Sequence, residues 1–196
     1  CPGGLRPTEE YFVSKLCPPN VSILNLDPNV LYRPEKYIFL SFPTRQSSGY
    51  IPGPFVRRLR DRVFHDDAAP QHRQLYISRR RASHRRVRNE DDLMKRLRPL
   101  GVRRYDLEVL TPSEQIRLFQ EAERVVAPHG AGLANLLFAT DARVVELQAS
   151  STVAPNFYLL CKRMGHDYRY VSHDAPDVDS SFTADPDEVI RQLRAP

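Results

Sequence analysis

The chain has 196 residues, of which 41% are apolar, so it is long enough for one large domain with a hydrophobic core. No apolar run approaches the roughly 20 residues that cross a bilayer, and the first residues lack the basic and apolar regions of a signal peptide. Three cysteines without CxxC spacing exclude a disulfide framework and favour a reducing compartment. Because the sequence begins without methionine, we expect a fragment or a processed product.

Arginine dominates the basic residues. The net charge is +5, and of 29 basic residues four are lysine and the remaining 25 are arginine. Six arginines lie within ten positions, at Arg79, Arg80, Arg81, Arg85, Arg86 and Arg88. The planar guanidinium suits phosphate, so this arginine patch indicates nucleotide phosphates, nucleic acid or an acidic surface as ligand.

The first part of the chain predicts little regular structure. Residues 1–36 are rich in proline and asparagine, and we interpret them as a connecting segment, the remnant of a preceding domain, with a single strand at 21–26. Residues 37–196 are predicted to form one Rossmann-like domain. It begins with a buried strand at 37–42 and a helix at 55–64, where apolar residues recur at helical spacing.

From residue 74 onward strands and helices alternate. Strands are predicted at 74–78, 102–110, 125–127, 143–147 and 167–171, and helices at 89–101, 111–124, from 133, at 156–164 and at 186–193. Thr111 and Pro112 with Glu114 are typical of a helix start, and Gly101 and Gly165 of helix ends. The alternation predicts an α/β fold with a doubly wound parallel sheet, which binds ligands at the carboxyl ends of its strands.

A short glycine turn is the most informative local feature. Val125 and Val126 lead into His129-Gly130-Ala131-Gly132, and apolar residues restart at helical spacing from Leu133. Glycines let backbone N–H groups approach an anion, and a helix N-terminus adds partial positive charge. The pattern predicts a phosphate-binding turn; a tight turn without a ligand is the alternative.

Three polar features fall at predicted strand ends: the arginine patch with Asn89, the glycine turn, and Glu146. Together they indicate a nucleotide diphosphate site, in which Arg79 or Arg86 neutralises phosphate and Glu146 accepts hydrogen bonds from ribose hydroxyls. Each feature also has a purely structural interpretation, as a solvated arginine, a capping histidine or a carboxylate paired with arginine. The candidate binding residues are Arg79, Arg86, Asn89, His129, Gly130, Ala131, Gly132 and Glu146.

Other chemistries have weaker support. There is no GxSxG nucleophile motif, and the glycine turn lacks the third glycine of a dinucleotide-binding fingerprint. The only metal-ligand spacings are His65-Asp66-Asp67 and Asp177-Val178-Asp179. The second is similar to the DxD of metal-dependent sugar transferases but follows a polar loop. We therefore predict no metal site.

An ordered set of motifs resembles one family, glycosyltransferase family 61, which includes bacterial capsule-associated, plant xylan-decorating and animal O-linked N-acetylglucosamine transferases. The resemblance covers about residues 73–171. Its motifs are Tyr76-Ile77-Ser78-Arg79, Arg85-Arg86-Val87-Arg88-Asn89-Glu90, Ser113-Glu114-Gln115-Ile116, Ala122 with Val125, His129-Gly130-Ala131-Gly132-Leu133, Val144-Val145-Glu146-Leu147 and Tyr168.

The resemblance implies that this chain is the C-terminal, donor-binding half of a GT-B enzyme. It also implies an inverting mechanism, a UDP-sugar donor and no required cofactor or essential metal. The catalytic base is expected in the other half. His129 is assigned a role in binding, with a catalytic role as base as the second assignment.

These inferences predict a glycosyltransferase that acts on a glycan or protein hydroxyl in surface polysaccharide biosynthesis and binds no nucleic acid. We expect a bacterial cytoplasmic location, compatible with peripheral membrane association; the alternative location is the Golgi or endoplasmic-reticulum lumen. The alternative function is a non-catalytic α/β module that binds nucleic acid through its arginine patch.

Overall fold

The computed structural model describes residues 4–38, 51–64, 72–175 and 178–195. Five strands alternate with helices along most of the chain. The strands are β1 (Arg73–Ile77), β2 (Val102–Tyr105), β3 (Ala122–Pro128), β4 (Arg143–Ala149) and β5 (Asp167–His173). The α-helices are α1 (Pro7–Leu16), α2 (Gly53–Val63), α3 (Glu90–Leu97), α4 (Pro112–Gln120), α5 (Asn156–Met164) and α6 (Pro186–Arg194). Short 3₁₀ helices cover Arg98–Leu100, Leu107–Val109, Ala131–Phe138 and Ser150–Thr152.

The strands form one parallel sheet in the order β2-β1-β3-β4-β5. The chain proceeds outward from β1 to β2, then crosses back to β3 on the other side of β1. The crevice between the carboxyl ends of β1 and β3 is therefore the topological switch point, where such sheets bind ligands. The predicted Rossmann-like, doubly wound α/β fold is confirmed.

Each face of the sheet carries its own hydrophobic core. One core packs the sheet against α2, α4, α5 and the 3₁₀ helix Ala131–Phe138, and the other packs it against α3 and α6. The valines of β3 alternate between the two, with Val125 in the first core and Val126 in the second, both fully buried. This alternation follows from the two-residue period of a strand that is covered on both faces.

The predicted helix signals act as expected. Thr111 Oγ1 accepts from the backbone N–H of Glu114, and the Glu114 carboxylate accepts from the backbone N–H of Thr111. This reciprocal pair is a capping box at the start of α4. Gly101 and Gly165 end their helices with φ of 83° and 80°, a left-handed conformation that favours glycine. No helix among the described residues is long and apolar enough to cross a membrane.

The predicted strand at 21–26 is wrong. Those residues form no regular element, and their apolar side chains are exposed, Leu24 to 76%. An isolated extended segment has no neighbouring strand to satisfy its backbone groups. The predicted strand at 37–42 has no counterpart at residues 37 and 38, which are exposed, and its remainder lies outside the described residues.

The connecting segment instead contains α1, which the sequence reading missed. Pro7 occupies its first turn, and the Glu9 carboxylate accepts from the backbone N–H of Arg6 at 2.8 Å. Tyr11, Phe12 and Leu16 pack against the first core. The division into a segment 1–36 and a domain 37–196 stays a prediction.

Further elements differ in kind or length. The helix predicted at 111–124 ends at Gln120, because the chain already enters β3 at Ala122. β2 ends at Tyr105, and the following apolar residues turn into the 3₁₀ helix Leu107–Val109. After the glycine turn the chain forms a 3₁₀ helix instead of the expected α-helix. A 3₁₀ helix brings residues three apart onto one face, which here buries Leu133 and Leu136 together.

Acidification should destabilise the fold through His166. Its Nδ1 accepts from the Ala142 N–H at 3.2 Å, and Nε2 faces the Leu136 carbonyl at 3.0 Å. Burial, with the nearby Arg60 charge, lowers the pKa of His166. In the unfolded chain the imidazole binds a proton below about pH 6.5, whereas in the folded protein it does so only at lower pH. The contribution of neutral His166 to folding stability is therefore present above about pH 6.5 and is lost as the pH falls from there through the lowered pKa. We expect lower unfolding midpoints in urea at about pH 5 than at about pH 8.

The substitution His166→Gln should reduce this acid-dependent loss of stability. Burial also lowers the pKa of His173, so part of the loss should persist. His72→Gln, at an exposed histidine, is the matched control and should keep the full loss. Equal acid sensitivity in wild type and His166→Gln would contradict the assignment.

Candidate functional site

Arg79 and the glycine turn meet at the switch point. β1 ends at Ile77 and β3 at Pro128, and the two strands are paired neighbours. The Arg79 side chain lies directly over Gly130, where an added Cβ would come within 2.8 Å of Arg79 Cζ and closer still to Nη1. Gly130 has an extended backbone open to any residue, so glycine is favoured here by the close approach of the guanidinium.

A cavity of about 560 Å³ opens at this crevice. Its polar wall contains Ser78, Arg79, Gln115, Asn135 and the turn residues 130–132. Its apolar wall comes mainly from α1, α2 and the 3₁₀ helix after the turn, with Phe12, Leu16, Phe55, Leu59, Leu133, Leu137 and Phe138. The volume lies within the range of small-molecule sites, and a mainly apolar lining with few polar groups is typical of them.

Arg79 is poised to bind an anion. Its Nη2 donates to the His84 carbonyl at 3.2 Å, whereas Nε is buried without a hydrogen-bond partner among the described residues. Burial, together with the charge of Arg85, lowers the pKa of Arg79, although the guanidinium stays protonated. Arg79 forms no ion pair with the described carboxylates. A partly buried cation with an unused donor is stabilised by a bound anion.

The first N–H groups of the glycine turn point to the same function. Ala131 and Gly132 begin the 3₁₀ helix, and the first donors of a helix have no partner within it. Asn135 Nδ2 donates to the Gly132 carbonyl at 3.2 Å and to Gln115 Oε1 at 3.1 Å, which ties the turn to α4. The turn is therefore held in place by side chains that also line the cavity.

His129 and Glu146 form a buried pair beside the cavity. His129 Nδ1 lies 2.5 Å from Glu146 Oε1, and the Tyr168 hydroxyl donates to Glu146 Oε2 at 2.5 Å. Glu146 is completely buried with both oxygens occupied, so the predicted contact with ribose hydroxyls requires a different conformation. In the structure Glu146 instead supports His129, whose ring also packs on Phe157 with centroids 5.2 Å apart.

Arg86 and Asn89 are not at this cavity. The Asn89 side chain donates to the Ala184 carbonyl at 2.8 Å and accepts from the backbone N–H of Ala184 at 2.9 Å. Arg86 pairs with Asp179 at 3.2 Å. Both residues join the start of α3 to the segment before α6, an association of residues far apart in sequence that no local pattern indicated.

Three of the other arginines in the patch pair with aspartates. Arg80 and Arg81 both pair with Asp106, at 3.3 and 3.7 Å. Hydrogen bonds from Ser181, with the Arg86 charge, lower the pKa of Asp179 to about 2. Asp179 belongs to the DxD-like motif, of which Asp177 lies outside the described residues, as does His65-Asp66-Asp67. The described residues contain no cluster of three or more potential metal-ligating side chains.

Several residues of the cavity and of the neighbouring His129–Glu146 pair escaped sequence reasoning. Phe12 comes from a helix that the sequence did not predict, and Phe157 lay in a predicted helix without any polar signal. Asn135 carried a usable signal, because it is a polar residue three positions after Gly132 in an otherwise apolar run. Gln115 and Tyr168 were included only through the family resemblance.

The two turn glycines should respond differently to alanine. At Gly132 a Cβ would lie 2.9 Å from Leu107 Cδ1 and 3.3 Å from Ile77 Cγ2, so Gly132→Ala should cost about 1–3 kcal/mol by overpacking. At Gly130 the conflict is only with the flexible end of Arg79, and the loss should stay near about 0.5 kcal/mol. Urea unfolding of both variants measures the difference; equal losses would refute this packing.

Comparison with known proteins now adds to the geometry. The family model Glycosyltransferase 61 matches residues 9–145. The match begins within α1, earlier than the expected residue 73, and ends within β4, earlier than residue 171. No curated protein matches the chain. Because the matched region includes most of α1, Arg79 and the glycine turn and extends over more than two thirds of the sequence, the chain belongs to glycosyltransferase family 61.

Proposed function

We propose that this chain is the donor-binding domain of an inverting glycosyltransferase that uses a nucleotide-sugar, a UDP-sugar, and transfers its sugar to a glycan or protein hydroxyl. Family membership supports glycosyl transfer in general. The observation that carries the proposal is the Arg79 guanidinium, which lies partly buried over Gly130 at the switch point and whose buried Nε has no hydrogen-bond partner in the part of the chain that the structure describes. The donor's diphosphate occupies this position.

The geometry suits the departure of a diphosphate. In an inverting transfer the acceptor hydroxyl attacks the anomeric carbon from the face opposite the leaving group, while negative charge grows on the departing diphosphate. Arg79 and the N–H groups of Ala131 and Gly132 stabilise that charge. The positive charge of Arg79 fulfils the role that a metal ion has in other transferases, so we propose that the reaction requires no metal.

The remaining parts of the proposal concern context. The binding site for the acceptor and the catalytic base belong to another part of the enzyme. The product belongs to a surface polysaccharide that is made at the cytoplasmic side. Binding of nucleic acid by the arginine patch is disfavoured, because Arg80, Arg81 and Arg86 already pair with Asp106 and Asp179. A polyanion would have to replace these ion pairs.

Calorimetric titration with UDP tests the proposal. We expect saturable binding that is the same without metal and with Mn²⁺, and weaker binding of ADP. Arg79→Ala removes a charged hydrogen-bond donor and should weaken UDP binding about tenfold to a hundredfold. Failure of the chain to bind UDP would contradict the proposal, and binding that requires Mn²⁺ would contradict its metal-independent part.

Two arginine variants sharpen the titration. Arg191→Ala, at an exposed arginine of α6 that pairs only with its own helix, is the matched control and should bind like wild type. Arg86→Ala tests the alternative position of the phosphate. A loss with Arg86→Ala and none with Arg79→Ala would move the diphosphate away from the glycine turn.

A further inference from the structure

A chain of buried polar groups ends at His129. Starting at the loop before α5, the Gln148 amide donates to the Ala154 carbonyl at 3.4 Å and to the Tyr168 hydroxyl at 3.2 Å. Tyr168 donates to Glu146, which in turn contacts His129. Three strands contribute to this chain, since His129 directly follows β3, Glu146 and Gln148 lie on β4, and Tyr168 lies on β5.

The direction of each hydrogen bond follows from which groups can donate. The Ala154 carbonyl can only accept, so the amide NH₂ of Gln148 faces it and also donates to Tyr168, while Gln148 Oε1 has no hydrogen-bond partner among the described residues. The single Tyr168 proton is then donated to Glu146. Burial, followed by the Glu146 contact, raises the pKa of Tyr168, so the phenol keeps this proton. A carboxylate accepts at both oxygens, so the contact between Glu146 Oε1 and His129 Nδ1 calls for a proton on Nδ1.

The surroundings of Glu146 support this direction. Glu146 is completely buried, and Cys161 of α5 is its further buried neighbour. Burial and the Glu146 charge raise the pKa of the Cys161 thiol to about 12, so it stays neutral. The carboxylate therefore depends on the donors from His129 and Tyr168. A buried carboxylate that lost one of them would carry a large desolvation penalty.

The other ring nitrogen has no partner within the described residues, and His129 lies between two residues of the cavity wall without lining the cavity itself. His129 Nε2 makes no hydrogen bond to the described residues, and the His129 side chain is 10% exposed. Its chain neighbours Pro128 and Gly130 both line the cavity. With the proton on Nδ1, neutral Nε2 can only accept a hydrogen bond, so it selects a hydroxyl and not a phosphate oxygen.

We propose that Tyr168 and Glu146 are positioning residues that hold His129 in its Nδ1–H form, so that Nε2 accepts a hydrogen bond from a ribose hydroxyl of the bound nucleotide. The contact that the sequence assigned to Glu146 is thereby made by His129, with Glu146 behind it. This inference rests on the proposed function for its ligand, whereas the state of the ring is a property of the protein alone.

Long-range ¹H–¹⁵N correlation NMR of the histidine rings tests the first part without ligand. The signals of His129 are identified by their loss in His129→Gln. At about pH 8, above the usual titration range of histidine, wild type should show the Nδ1–H form. Glu146→Gln places an amide donor opposite Nδ1 and should move the proton to Nε2. Any other form of the wild-type ring overturns the inference.

Titration with UDP and with 2′,3′-dideoxy-UDP tests the second part. Loss of one hydrogen bond should weaken binding of the dideoxy compound by about threefold to tenfold in wild type. The two ligands should bind equally to His129→Ala, whereas Glu146→Gln keeps a ring whose Nε2–H can donate to the hydroxyl oxygen and should keep part of the discrimination. Glu123→Gln, the same change at a more exposed glutamate of β3, should keep both the wild-type ring form and the discrimination.

The outcomes separate the two proposals. An Nδ1–H ring in a protein that does not bind UDP would refute the proposed function and the ribose contact but leave the positioning chain standing. Binding of UDP without discrimination against the dideoxy compound would overturn the ribose contact alone. Discrimination that persists in His129→Ala would assign the hydroxyl to another residue.

Discussion

The parallel pairing of β1 with β3 is the constraint on which the site depends. Tyr76 lies opposite Val126, and this register brings the residues just after each strand to the same edge of the sheet. Arg79 and Gly130 are 51 positions apart in sequence and meet only because of this pairing. The strands themselves are fixed by burial, since Val125 and Val126 have no exposed surface on either face. The packing of the core thus sets the position of the Arg79 guanidinium over Gly130.

Charge pairing divides the arginines into two groups. Arg80, Arg81 and Arg86 each form an ion pair with an aspartate, whereas Arg79 forms no ion pair with the described carboxylates, although Glu108 lines the same cavity and its charge acts on the guanidinium. Exposed ion pairs contribute little to stability but do lower the local positive potential. Arg79 therefore differs from these three arginines through its surroundings and not through its residue type.

Most of the fold was predictable, because hydrophobic periodicity and helix caps are local signals. The helix 156–164 was predicted with the bounds of α5, and the capping box at Thr111 formed as expected. The unsupported strand at 21–26 and the 3₁₀ helix after the turn were not predictable, since both depend on which surfaces are available for packing. The site was predicted in part. The sequence placed Arg79 and the glycine turn at the same site. The hydrogen bonds of the Asn89 side chain could not be predicted, because their partner, Ala184, is 95 positions away.

The 3₁₀ helix that forms one wall of the cavity has a mechanical consequence. Its eight residues are many for this helix type, whose hydrogen bonds are weaker than those of an α-helix. A 3₁₀ helix rises about 2.0 Å per residue and an α-helix about 1.5 Å, so rewinding these eight residues would shorten the segment by about 4 Å. The glycine turn begins this segment. Its backbone donors are thus attached to a wall whose length can change while every strand stays in the sheet.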